Sequence, residues 1–223
     1  MGRSAVRDEL TGQSSHKTVA PNRPATLSWL RAVFCASGFA AIIYQIVWQR
    51  VLFTTFGVNV QAVTVVVTAF LAGLGLGSVA GGRASYGGEA VLLRRFGLLE
   101  LAIGFFGFVS LPFFRWVGTL TAALPSTVRG LVMALIAMAP ATLMGATLPI
   151  LVAYFVRRTA NVGASVGSLY FVNTAGSAIA AFAAALVLLP TLGEFRTTFV
   201  AAVVNLAVGG SALLGARRSR RAG

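Results

Sequence analysis

Ser37–Gly57 reads SGFAAIIYQIVWQRVLFTTFG. This apolar run predicts a membrane-spanning helix, and it ends by bringing Tyr44, Gln45, Trp48, Gln49 and Arg50 together. At a bilayer boundary Trp and Tyr sit at headgroup level and arginine snorkels toward water, so the group reads as an interfacial anchor. Anchoring alone needs fewer polar groups. Gln45 and Gln49 are one helical turn apart and share a face, so a pocket or a subunit contact is the alternative.

The remainder of the chain agrees with a membrane setting. Of its 223 residues, 57% are hydrophobic and 10% are charged, against about 25% charged in soluble domains. Too little polar surface exists to cover a globule in water. The net charge of +13 comes from basic residues scattered through loops and tails, which favours the lipid bilayer over nucleic acid as partner. Cys35 is the only cysteine and His16 the only histidine. An intrachain disulfide is excluded, and metal ligation or a Ser-His pair has little to work with. No cofactor or metal is expected.

Residues 1–27 are polar and read as a disordered cytoplasmic tail. Six apolar segments follow at about 28–49, 59–82, 92–114, 128–156, 163–189 and 195–216, each near the ~20 residues needed to span a bilayer. Residues 115–126 are too short to span and read as an interfacial turn carrying Trp116. Residues 217–223 form a basic cytoplasmic tail. With the N-terminus inside, fourteen Lys and Arg residues fall on the cytoplasmic side and four (Arg50, Arg115, Arg129 and Arg196) outside. The positive-inside rule then places both termini in the cytoplasm, as an even number of spans requires. The predicted fold is all-α: a polytopic bundle of six transmembrane helices over 28–216, in the cell inner membrane.

Several residues inside these segments invite a functional reading. Gly73, Gly77 and Gly81 recur every four residues and line one face, which suits close helix packing or a sliding surface. Glu100 is an acid inside an apolar segment, about 8 Å deeper than Arg95 at 1.5 Å per residue. It is read either as paired with an arginine near the inner surface, such as Arg83, or as a site for a cation or proton. Asn173, with the small neighbour Gly176, needs a partner at mid-membrane: another helix or a substrate. Asn205 poses the same question. Pro140 and Pro149 in PATLMGATLP predict a kink or break in the fourth span.

Five stretches occur in an order that resembles one family. They are SGFAAIIYQIVWQRVLFTTFG, AFLAGLGLGSVAGGR, FGLLELAIGF, PATLMGATLPIL and VGSLYFVNTAGSAIAAFAAALVLLPTLG. Together they resemble the membrane region of membrane-bound spermidine synthase-like proteins, in which a half of a major-facilitator-like fold is typically joined to a soluble aminopropyltransferase domain. The matching positions are Tyr44, Gln45, Trp48, Arg50, Glu100, Pro140, Gly145, Pro149, Tyr170, Asn173 and Gly176. The chain carries no strand–Gly-loop–helix nucleotide site, so the resemblance implies a membrane module without catalysis of its own. Such a module would partner a soluble aminopropyltransferase-like protein or a second copy of itself. The alternative is a small transporter or half-transporter for a polyamine or other organic cation. In either case Tyr44, Gln45, Trp48, Arg50, Glu100 and Asn173 are the candidate contacts. The Tyr44–Arg50 group is expected near the outer end and Glu100 near the inner end.

Overall fold

A computed structural model describes residues 24–56 and 60–221, the side chains of 24, 25, 55, 56, 60–63, 66, 126 and 221 excepted. Of the expected polar tail, residues 1–23 lie outside the described residues. The described chain is all-α. Its elements are α1 (Pro24–Phe56), α2 (Val60–Arg83), α3 (Glu89–Leu120), α4 (Ser126–Thr159), α5 (Val162–Ala183), a π-helical turn (Ala184–Leu188) and α6 (Leu189–Arg221).

Local chemistry sets these limits. Arg157 and Arg158 occupy the last turn of α4, where cations complement the exposed carbonyls. The helix stops at Ala160 in the left-handed region, φ 53°. Asn161 then caps α5, its side chain accepting from the Ala164 N–H at 2.9 Å. Between α5 and α6 the chain passes the π-helical turn, Pro190 and Gly193. Gly193 has φ 71° and ψ 178°, a conformation open almost only to glycine.

Four stretches are long and apolar enough to cross a membrane, where the sequence predicts six: Thr26–Thr54, Glu89–Leu120, Thr127–Thr159 and Val162–Arg220. α2 supplies no such stretch among its described residues. The fourth stretch joins α5, the π-helical turn and α6 without a loop, over 59 residues. Straight, it would reach ~88 Å at 1.5 Å per residue. It is not straight, because α5 and α6 both pack on α1, and Ala180, Ala184 and Ala201 meet in one core cluster.

Three further expectations change. Of the expected kink or break in the fourth span, the break is not found: α4 is one helix from Ser126 to Thr159 with Pro140 and Pro149 inside it. Each proline removes one backbone hydrogen bond, while α2 and α3 hold the helix from outside. Nearby, Thr142 and Thr147 donate to the carbonyls of Met138 and Met144 at 2.9 and 2.7 Å. Residues 115–120 continue α3 instead of forming a turn. No proline lies between Arg115 and Leu120, and Thr119 and Thr121 bond back to Trp116 and Val117 at 2.7 and 2.8 Å. The basic stretch from 217 is helical through Arg221.

Helix pairs pack through small residues. Gly73, Gly77 and Gly81 lie against the backbone of Met138, Thr142 and Ala146 on α4, and Gly145 faces Leu74 in return. The register rises together on both helices, so α2 and α4 are parallel. α3 runs antiparallel to α6, with Gly97 against Gly209 and Gly104 against Ala202. α1 crosses α5 at Gly38 with Asn173 and at Cys35 with Gly176. One apolar cluster gathers Leu27, Leu30 and Phe34 with Leu169 and Ala212. A second, further along the same helices, gathers Tyr44 and Trp48 with Phe114 and Ala184.

A candidate buried polar site on three helices

α1, α3 and α6 meet around Glu100, which is 0% exposed. Ser37 of α1 lies with its Oγ 2.6 Å from Oε1. Asn205 of α6 donates from Nδ2 to Oε2 at 3.0 Å. Both partners are themselves buried. Arg83 is not the partner the sequence suggested, because Glu100 faces the bundle centre while Arg83 is exposed at the end of α2.

The other two described carboxylates are treated differently. Glu89, in the first turn of α3, pairs with Arg158 through two guanidinium contacts. Glu194 lies between Arg50 at 3.0 Å and Arg115 at 3.8 Å. Among these three, only Glu100 is held by neutral groups. An uncompensated carboxylate in an apolar interior costs several kcal/mol. The enclosure is therefore costly, and the two donors offset that cost in part.

Tyr44 and Trp48 face the bundle interior and not its surroundings. They are 0% and 2% exposed and stack at 4.9 Å inside the bundle. Phe106 and Phe114 pack edge-on to Trp48 at 5.5 and 5.8 Å. The indole Nε1 donates to Ser110 Oγ at 2.9 Å, and Ser110 donates to the Gly107 carbonyl at 2.9 Å. The anchor reading fails because the face bearing Ser37, Tyr44 and Trp48, at i, i+7 and i+11, is the inward stripe of α1. The Tyr44 hydroxyl lies against Gly107, is buried, and has no hydrogen-bond partner among the described residues. Tyr44 follows Ser37, which bonds Glu100, by two helical turns on the same inward face of α1.

The remaining candidates separate. Arg50 is exposed and ends at Glu194. Gln45 and Gln49 line a narrow cleft with Trp48, Leu52, Val67 and Phe70, between α1 and α2. Asn173 lies on the α1–α5 seam against Gly38, beside Ser177, whose hydroxyl donates to the Gly38 carbonyl at 3.1 Å. Gly176 lies on that same seam. Sequence reading missed Ser37, Ser110 and Glu194, and gave Asn205 little weight. The signal was spacing: Glu194, Thr198 and Asn205 stand at i, i+4 and i+11, one face of α6.

Comparison with known proteins finds one distant relation. The chain is 29% identical over 203 residues to a polyamine aminopropyltransferase 2 of Streptomyces coelicolor, a match covering 87% of this chain and 35% of that protein. The chain therefore spans about a third of the length of the curated relative it matches. No protein-family profile matches it, and no solved structure does.

Proposed function

We propose that this chain is a multi-pass module of the cell inner membrane, equivalent to the membrane portion of an aminopropyltransferase and not itself catalytic. It works with a soluble aminopropyltransferase-like protein or with a second copy. One observation carries this reading: the similarity runs through nearly all of this chain but about a third of the named enzyme, and the chain's described residues are apolar helices.

The proposed topology has six crossings with both termini cytoplasmic. Its support is the separation of charge. Glu89 and Arg158 join the start of α3 to the end of α4 at one end of the bundle. Arg50, Arg115 and Glu194 join the later part of α1, the later part of α3 and the start of α6 at the other. Gly193 supplies the reversal that a double crossing by Val162–Arg220 needs.

Single cysteines placed at Ser85, Ala122, Ala160 and Thr191 in a Cys35→Ser background test this topology. Ser85 and Ala160 should label from the cytoplasm, Ala122 and Thr191 from outside. Labelling of Ser85 and Thr191 from one side would refute it. Crosslinking in native membranes tests the partner, and a monomer that captures neither a synthase nor another copy ends that reading.

A second reading, a half-transporter for a polyamine or other organic cation, is favoured by Glu100, a buried carboxylate held only by neutral groups. Reconstituted vesicles that fail to move spermidine would count against it.

A further inference from the structure

A row of buried polar groups runs from Glu100 toward the end of the bundle that bears Glu194. On α1, Tyr44 follows Ser37 by seven residues, about 10 Å at 1.5 Å per residue. On α6, Thr198 and Glu194 follow Asn205 in the same direction, and Thr198 donates to the Glu194 carbonyl at 2.9 Å. A cleft lined by Gly107, Phe108, Leu111, Phe195, Thr198 and Phe199 opens between α3 and α6. Gly107, at its floor, is the residue on which the Tyr44 hydroxyl rests. Two polar atoms along this row are buried without partners: the Tyr44 hydroxyl and Asn205 Oδ1.

We infer that Glu100 is a proton-loading site, which takes up and releases one proton by way of the Tyr44 hydroxyl and the cleft between Gly107 and Thr198. Three features lead here. Glu100 is fully enclosed, and a proton is the cation that needs no room. Among the described residues no guanidinium bonds to it. Its two hydrogen-bond partners accommodate both charge states. Asn205 donates to Oε2 whether or not the acid is ionised. Ser37 has a hydroxyl, which donates to Oε1 of the carboxylate and accepts from the O–H of the acid at the same 2.6 Å contact. In the second state the Ser37 proton turns to a carbonyl one turn earlier on α1, a bond that helical serines commonly make.

In loading, a hydronium ion in the cleft gives up a proton to the Tyr44 oxygen as the Tyr44 hydroxyl releases its own toward Oε1. One O–H bond breaks at the cleft water, one forms at Oε1, the phenol is left as it began and the bundle interior loses one negative charge; unloading reverses each step. Among the described titratable groups, Tyr44 shares the inward face of α1 with Ser37, which bonds Glu100. α6 presents Asn205, which does not titrate. On α3, Arg95 is turned to the Ala84 and Tyr86 carbonyls. Arg31, six residues before Ser37 on α1, lies over the Phe155 ring of α4. The remaining charged pairs lie at the bundle ends.

Infrared difference spectroscopy on the full chain in lipid bilayers tests this. The expected result is a protonated-carboxyl carbonyl band that is lost reversibly as pH rises and is missing in Glu100→Gln. The band should move in frequency in Ser37→Ala, which identifies it even if Glu100→Gln does not fold. Its hydrogen–deuterium exchange should slow about tenfold in Tyr44→Phe, the rate equivalent of one lost hydrogen-bonding step. A spectrum with no such band, a band that ignores pH, or a band that survives in Glu100→Gln overturns the site. Exchange at the wild-type rate in Tyr44→Phe overturns the route. The inference rests on the membrane placement proposed above and not on a synthase partner. Cysteine labelling checks that placement separately, so a failed proton readout with intact topology refutes this inference alone.

Discussion

Gly77 and Gly75 differ by two positions on α2 and should respond oppositely to alanine. A Cβ at Gly77 would overlap the Thr142 carbonyl group and come within 3.0 Å of the Ala146 backbone N. These are backbone atoms, so no side chain can turn away. α2 and α4 must part along a seam that Gly73 and Gly81 also form. Overpacking of this kind costs about 1–3 kcal/mol. A Cβ at Gly75 meets nothing within 4 Å, and alanine there gains up to ~1 kcal/mol of helix propensity. The propensity gain is common to both variants, so they should differ by the overpacking cost, about 1–3 kcal/mol. For a chain of this size that is a separation of roughly 2–12 °C in midpoint, read by thermal unfolding in detergent or nanodiscs with Gly75→Ala as the internal control. Equal midpoints would refute the claim that the α2–α4 contact is backbone-limited, and would leave Gly73, Gly77 and Gly81 without a packing role.

Other perturbations follow from the site. Ser37→Ala removes one of the two groups bonded to Glu100 and should cost about 1–3 kcal/mol in unfolding free energy, whereas Ser177→Ala, on a half-buried seam, should cost less. Trp48→Phe should remove the tryptophan emission most protected from acrylamide, because Trp48 is buried while Trp116 is exposed; loss of only quenchable emission would contradict the buried stack with Tyr44. Glu194→Gln should change stability by no more than about 1 kcal/mol, with a salt-dependent effect, since its arginines are exposed. Glu89→Gln should cost more, because Arg158 is far less exposed than Arg50 or Arg115 and meets Glu89 through two contacts; equal losses in the two unfolding series would show that these differences do not separate them.

Parts of the site were legible in the sequence because they rest on local rules. An acid among Leu98, Leu99 and Leu101 must find partners wherever it lies, so Glu100 stood out before any contact was known. The glycines at 73, 77 and 81 share a face by helical geometry alone. Tyr44 and Trp48 misled because an aromatic pair followed by Arg50 has the composition of a membrane boundary. Composition cannot tell a stripe facing lipid from one facing a neighbouring helix. The prolines misled for a related reason: Pro140 and Pro149 weaken a free helix, but α2 and α3 hold α4 continuous.

The sequence by itself determined an all-helical membrane chain, because apolar length, scarce charge and arginine placement are additive along the chain. It also marked Glu100 and the α2 glycines. Only the tertiary structure decided which groups meet: Ser37 and Asn205 on Glu100, Tyr44 on Gly107, and Glu194 between Arg50 and Arg115. Those contacts join residues 63 to 144 positions apart. They depend on the relative rotation and depth of α1, α3 and α6, which helical periodicity leaves free and side-chain packing fixes.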